Sequence, residues 1–167
     1  MPQPILTKRL SLRAYTEADA LDLARLICAP EVQCWLPRVP HPYGVDDAFE
    51  FIARATSDPW KRAITLNDTF IGGVAVSDQF GYWLVQPFWG QGYATEAGRA
   101  ILTAWFDQTQ DAVVQSGHAF GNAASRNVLK KLGFKDSGTG TTHNAFKGAQ
   151  VDLQFMTLTR SDWEART

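Results

Sequence analysis

The chain holds only two cysteines in 167 residues, Cys28 and Cys34, with no C-x-x-C spacing and no histidines clustered beside them. That pattern supports neither a disulfide framework nor a metal site, so both read as reduced thiols and no metal is expected. Long apolar runs are also missing. Nothing approaches the roughly 18 apolar residues that would span a bilayer, and the opening Met-Pro-Gln-Pro-Ile-Leu-Thr-Lys lacks the apolar segment of a secretory leader. Nor is there an excess of charge of one sign: 16 Lys and Arg stand against 17 Asp and Glu, for a formal net charge of −1. Such a balance provides no field to draw the chain to nucleic acid or to an anionic membrane. These absences leave a cytoplasmic protein with no nucleic acid and no membrane partner. What is present is ordinary for a globule, with 45% apolar and 20% charged residues, and the length fits one domain over residues 1–167. The composition does not separate a monomer from a homodimer.

Taken in order, Leu10 to Tyr15 alternates at period two, as a half-buried strand would. Thr16 with Asp19 resembles a capping box, and Ala20, Leu23, Ala24, Leu26 and Ile27 recur at helical spacing up to Pro30. Trp35 to Gly44 holds three prolines and a glycine, which predicts a stiff exposed loop. A second helix opens at Val45 or Asp46 and ends before Asp58-Pro59. Lys61–Leu66, Phe70–Ser77 and Gln79–Val85 then read as an antiparallel meander, its first turn at Asn67-Asp68. A helix carrying Ala94, Ala97, Ile101, Leu102, Trp105 and Phe106 leads to a strand over Ala112–Ser116, which makes the topology α/β. Asn122 suits the N-cap of the next helix, Gly133 its end, and Gln150–Thr157 a final strand. Gly138 to Gly148 reads as a hairpin loop or a mobile segment.

The densest signal is Pro87-Phe88-Trp89-Gly90-Gln91-Gly92-Tyr93-Ala94-Thr95-Glu96-Ala97, where an extended run gives way to small residues and then a helix. Gly90 and Gly92 tolerate positive φ and let several N–H groups approach one anion. The unpaired N–H groups and dipole of the following helix favour a phosphate at the same place. A strand-to-helix turn that binds nothing is the plain alternative. A triphosphate loop needs a Lys after its glycines, which is absent; a dinucleotide fingerprint needs a third Gly where Thr95 stands, with Asp111 before a strand instead of at its end.

Gly81-Tyr82-Trp83-Leu84 followed by Trp89-Gly90-Gln91-Gly92-Tyr93-Ala94-Thr95-Glu96-Ala97 resembles the acyl-CoA signature of the GCN5-related N-acetyltransferases (GNAT), and most nearly that of the RimJ/RimL branch. The branch's second signature stands here as Asn122-Ala-Ala-Ser125-Arg-Asn127-Val-Leu-Lys-Lys-Leu-Gly133-Phe134. The resemblance runs from Thr7-Lys8-Arg9-Leu10 to Trp163. The superfamily's usual Gln or Arg is replaced by Trp89, a change of small weight where backbone N–H groups form the cradle. The resemblance implies an α/β GNAT fold: a mixed central sheet of about six or seven strands, splayed in the middle and flanked by about four helices. It also implies acetyl-CoA as acyl donor, held by Trp83, Leu84, Val85, Trp89, Gly90, Gln91, Gly92, Tyr93, Ala94, Thr95, Asn122 and Asn127. In that fold the pantetheine arm pairs with the edge of one splayed strand, here Tyr82 to Val85, and the Leu84 or Val85 N–H would stabilise an oxyanion.

Acetyl transfer by direct attack in a ternary complex needs a neutral amine and a partner for the thiolate that leaves. An α-amine near pKa ~7.7–8.0 needs little help, unlike a lysine-type amine near ~10.4. His118, His41 and Tyr43 are candidates for a base or a water relay. Many family members carry a Tyr four residues before the Gly of Gly-Phe, where this chain has Leu129; Ser125, at the branch's Ser position, resembles the thiolate partner. The acceptor, a protein or peptide N-terminus or a small amino compound, is expected beside Trp35, His41 and Tyr43, because that loop has no carboxylates with which to desolvate a polycation. An acyl-CoA-binding regulator without turnover, which the missing Tyr would suit, and a purely structural domain are the other classes.

Overall fold

The computed structural model describes residues 2–166. Five strands form one sheet in sequence order, each pair antiparallel: β1 (Ile5–Leu6), β2 (Ser11–Arg13), β3 (Lys61–Leu66), β4 (Thr69–Val76) and β5 (Phe80–Leu84). The β3–β4 link is a tight two-residue turn in which Asn67 and Asp68 both take positive φ, at 48° and 63°. Asn and Asp tolerate that conformation, and it matches the twist of a hairpin. A second sheet holds β6 (Val113–Ala119), β7 (Lys135–Asn144) and β8 (Ala149–Thr159) in the order β6-β8-β7, again antiparallel.

Helices cover both faces of the larger sheet. On one side α1 (Ala20–Ile27) and α3 (Val45–Ala55) bury Leu23, Ala48 and Ile52 against Tyr15 and Phe70. On the other, α4 (Tyr93–Gln108) and α5 (Ala123–Leu132) bury Ile101, Leu102, Leu129 and Leu132 against Ile64 and Ile71. Adjacent β4 residues Phe70 and Ile71 thus enter different clusters, as expected of a strand covered on both faces.

The α/β class stands, with eight strands among the described residues in two wholly antiparallel sheets, where the sequence reading expects one mixed sheet of about six or seven. The break falls between β5 and β6, the splayed pair. Several elements depart from the sequence reading. Thr16 caps a 3₁₀ turn, Glu17–Asp19, ahead of α1. Pro30 opens a short helix, α2 (Pro30–Gln33), at the position where its missing N–H costs nothing. Helix α6 (Arg160–Glu164) follows β8, and Thr159 Oγ1 accepts from the Asp162 N–H at 3.1 Å, a cap visible in the sequence as Thr-x-x-Asp. Gly138 to Asn144 is strand, leaving only 145–148 as a turn, because β7 pairs with β8 along its length. Among the described residues no helix is long and apolar enough to cross a membrane.

Candidate active site

The site lies where β5 and β6 part. Each is the outer strand of its sheet, and the two edges face each other. One tie crosses near the start of β5, where Ser116 Oγ donates to the Phe80 carbonyl at 2.9 Å. Two residues along β5, burial raises the Tyr82 phenol above its ordinary value, and the Ser125 side chain, at the start of α5, offsets part of that rise.

Along β5 the backbone alternates. The Val85 N–H donates to the Ile71 carbonyl at 3.0 Å, and residues 83 and 81 point toward β4 in the same way. The amides of Trp83 and Val85 therefore belong to the β4 ladder, correcting the expectation that either offers its N–H to a bound ligand. By the same alternation the Leu84 N–H faces the open edge. The Leu84 carbonyl is held at 2.7 Å by the indole Nε1 of Trp89, so Trp89, 40% exposed, braces the strand end and tethers the turn that follows. The Trp83 ring lies on the opposite face, edge-on to Phe70 at 5.8 Å.

That turn has the geometry of an anion cradle. Gly90 and Gly92 take φ of 72° and 83°, and Gly92 is the N-cap of α4. The first helical bond runs from the Glu96 N–H to the Gly92 carbonyl at 3.0 Å, so the N–H groups of Tyr93, Ala94 and Thr95 have no carbonyl one turn back. A Cβ added at Gly90 would meet no atom within 4 Å, so the surface above the loop is open. Gln91 closes the loop from within, its Nε2 donating to the Pro87 carbonyl at 2.9 Å.

Arg9 is the residue here that the sequence reading missed. It donates from Nη1 to the Gln91 carbonyl at 3.0 Å, stacks 4.3 Å from the Tyr93 ring centroid, and pairs with Glu96 at 2.7 Å. Thr7 Oγ1 and the Arg9 backbone N–H also donate to Glu96, at 2.6 and 2.9 Å. Burial alone would raise the Glu96 carboxyl, but these bonds and the Arg9 charge outweigh it and hold the pKa below its ordinary value. The contact of Arg9 with a residue 87 positions away has no local signal in the sequence.

At the start of α5, Asn122 Oδ1 accepts from the Ser125 N–H at 3.1 Å, the expected cap. Asn127 is exposed two residues further on, a step that turns it to another side of the helix. Leu129, 1% exposed, fills the core. His118 is buried with both ring nitrogens occupied. Nδ1 lies 3.0 Å from the Ala119 carbonyl, and Nε2 lies 3.4 Å from Nη1 of Arg126, which pairs with Asp136 at 2.8 Å. A carbonyl only accepts and a guanidinium only donates, so Nδ1 carries the hydrogen and the Nε2 lone pair is spent on Arg126. That removes His118 as a free base.

Of the predicted acceptor residues, Trp35 and His41 meet the tip of the β7–β8 hairpin, while Tyr43 packs with the α1 and α3 cluster. His41 Nδ1 lies 3.2 Å from Gln33 Oε1, and its ring stands edge-on to Phe146 at 5.2 Å. Lys147 lies over Trp35 at 5.0 Å, and Asn144 Nδ2 donates to the Cys34 carbonyl at 3.0 Å. Burial, with Asp47 nearby, pushes the Tyr43 phenol up to about 12, so it is neutral at physiological pH and poorly suited to act as a base. Among the described residues no group of three or more His, Cys, Asp or Glu could hold a metal.

The sequence profile of the acetyltransferase (GNAT) domain matches residues 9–135 of this chain. The chain belongs to the GNAT acetyltransferase family. It is 31% identical to YdaF of Bacillus subtilis, whose name assigns it provisionally to ribosomal N-acetylation, over 95% of this chain and 96% of that protein. Its fold is similar to that of Mycobacterium smegmatis RimJ, solved with a CoA disulfide (TM-score 0.80, 20% identity, 92% of this chain and 83% of that one). RimL, an α-N-acetyltransferase of a ribosomal protein solved with coenzyme A, superposes with a TM-score of 0.76 at 17% identity, over 94% and 98% of the two chains. This is therefore a GNAT N-acetyltransferase, of a family that uses acetyl-CoA.

Proposed function

We propose that this GNAT protein transfers the acetyl group of acetyl-CoA to a single primary amine, at a peptide or protein N-terminus or on a small amino compound, by direct attack in a ternary complex. The observation that carries the reading is the open β5 edge, with the Leu84 N–H aimed into a gap that has the Gly90–Thr95 cradle after one strand and Ser125 after the other. The residues fit the donor. Backbone N–H groups of Gly92, Tyr93, Ala94 and Thr95, with Arg9 beside them, would hold a pyrophosphate. The β5 edge would receive the amides of the pantetheine arm as an added strand.

The amine lone pair attacks the thioester carbonyl, whose electron pair moves onto oxygen near the Leu84 N–H. Collapse of that adduct breaks the C–S bond, the nitrogen loses its proton to water, and the Ser125 hydroxyl supplies a hydrogen bond to the developing thiolate. With His118 engaged elsewhere, the reading favours an α-amine, near ~7.7–8.0, which is partly neutral without a protein base. RimL's acceptor, an α-amine, lends support to the same choice.

The acceptor entrance falls between the Trp35–Tyr43 loop and the 145–148 turn, segments that contain no carboxylate of their own; their charged groups are Lys147 and Arg38, the latter paired with Asp78. Assay of CoA release with N-terminal peptides, single amino acids, polyamines and aminoglycosides tests this. A kcat/KM for monoamines above that for every polycation is expected; the reverse order overturns the acceptor assignment. Tight acetyl-CoA binding without turnover on any amine would favour an acyl-CoA-binding regulator, the reading that Leu129 keeps in view.

A further inference from the structure

Arg62 stands on β3 and is only 4% exposed, yet among the described residues no carboxylate pairs with it. Its Nε donates to the Pro59 carbonyl at 2.7 Å, and its Nη1 to the carbonyls of Gln3 and Pro2 at 3.1 and 3.5 Å. Asp58, whose charge favours the guanidinium, spends its own oxygens on the Trp60 N–H at 2.9 Å and on Lys61 Nζ at 3.0 Å. Both hydrogens of Nη2 are left over. They are not sealed in, since Trp105 Nε1 is the one buried side-chain nitrogen or oxygen without a partner among the described residues. Arg62 instead lines a cavity of about 320 Å³. Burial presses its pKa below the ordinary value, but an arginine keeps its charge at physiological pH, and a buried charge without a counter-ion is costly.

The remaining walls say which anion fits. Pro4, Ile5, Pro59, Trp60 and Ala104 bring rings and methyl groups, and the prolines have no N–H to offer. A phosphate, whose oxygens call for several donors, is poorly served by one edge of one guanidinium, whereas a carboxylate can take that edge and leave its hydrocarbon on the apolar walls. We infer that this cavity binds a small apolar monocarboxylate, its carboxylate on Nη2 of Arg62 and its body against Trp60. The volume lies at the small end of the ~300–1,000 Å³ usual for ligand sites and suits a molecule of benzoate size. The site is separate from the acyl-CoA cradle. Ala104 lies twelve residues along α4 from Gly92, which at about 1.5 Å per residue is roughly 18 Å.

The test is a titration of the full chain with benzoate, followed by NMR on the indole N–H signals of the six tryptophans. Trp60 lines the cavity and Trp105 meets its ring edge-on at 4.8 Å, so these two signals should shift and saturate while those of Trp83 and Trp89 stay put. A Kd of ~1 mM or tighter is expected for so small a ligand. Benzamide, of the same shape without the charge, should bind roughly 10- to 100-fold more weakly, the worth of a hydrogen bond to a charged group, and Arg62→Gln should weaken benzoate by a similar factor. Because Arg62→Gln also loosens residues 2–4, a second variant, Ala104→Phe, fills the cavity with Arg62 left in place and should abolish the shifts; melting curves confirm that both variants fold. Equal affinity for benzoate and benzamide, or unweakened benzoate binding by Arg62→Gln, overturns the carboxylate site. Displacement of benzoate by inorganic phosphate overturns the apolar monocarboxylate as its ligand. Shifts that never saturate in the wild type, or that survive in Ala104→Phe, overturn the cavity as a binding site.

Discussion

At Gly92 two constraints coincide. Its φ of 83° disfavours any side chain, and a Cβ there would stand 3.4 Å from Nη2 of Arg9, inside the cradle. Gly92→Val should therefore abolish acetyl-CoA binding; calorimetry on the folded variant checks this, and unchanged affinity would refute the cradle. Ser125→Ala should lower kcat about 10- to 1,000-fold with little change in acetyl-CoA affinity, because a donor to thiolate acts only as charge develops; single-turnover kinetics would show it. Roles with a local cause were legible in the sequence. The two glycines precede a helix, and Asn122 caps one three residues before Ser125. Roles assembled across the chain were not. Arg9 acts on a residue 87 positions away. His118 looked free because its occupant, Arg126, comes from α5 and is anchored by Asp136 on β7.

At the scale of elements, the first turn of α4 is latched to the N-terminal segment through Glu96, which receives Thr7, the Arg9 backbone and the Arg9 guanidinium. Glu96→Gln should lower the melting temperature and weaken acetyl-CoA binding, because Arg9 loses the partner that fixes it beside the loop. The pH dependence has a definite sign. A carboxyl whose folded pKa is depressed contributes stability in full above its unfolded value, near ~4.3, and loses it as pH falls through the lower folded value. The melting difference between wild type and Glu96→Gln is thus expected to be constant from pH 7 to about pH 5 and to shrink below about pH 4.3; a difference that grows in acid would contradict the latch. Hairpins were readable where turn chemistry is explicit, as at Asn67-Asp68. The two-residue β1 was not, since its pairing with Leu12 and Ser11 supplies its only reason to be extended. The Gly- and Thr-rich 138–144 stretch resembles a loop in composition, and its partner β8 makes it a strand.

At the scale of the whole molecule, the two sheets meet at β5 and β6 without a shared backbone ladder, joined by helix packing and by the side-chain tie from Ser116. Acetyl-CoA lying in the gap should raise the melting temperature, by an amount corresponding to about 2.7 kcal/mol at 100 times Kd. It should also slow hydrogen exchange at the Leu84 amide, while the Val85 amide, already bonded to Ile71, changes little. Equal protection of both would argue against the edge geometry. The same opening carries a liability. An unpaired strand edge can recruit any extended chain, including another molecule's, and the β5 edge is guarded by Ser116 and Trp89 at its two ends, by the narrowness of the cleft and by whatever lies in it. The acyl donor then doubles as a shield against aggregation, so that preparations stripped of CoA should scatter light and bind amyloid dyes on gentle warming well before those saturated with it.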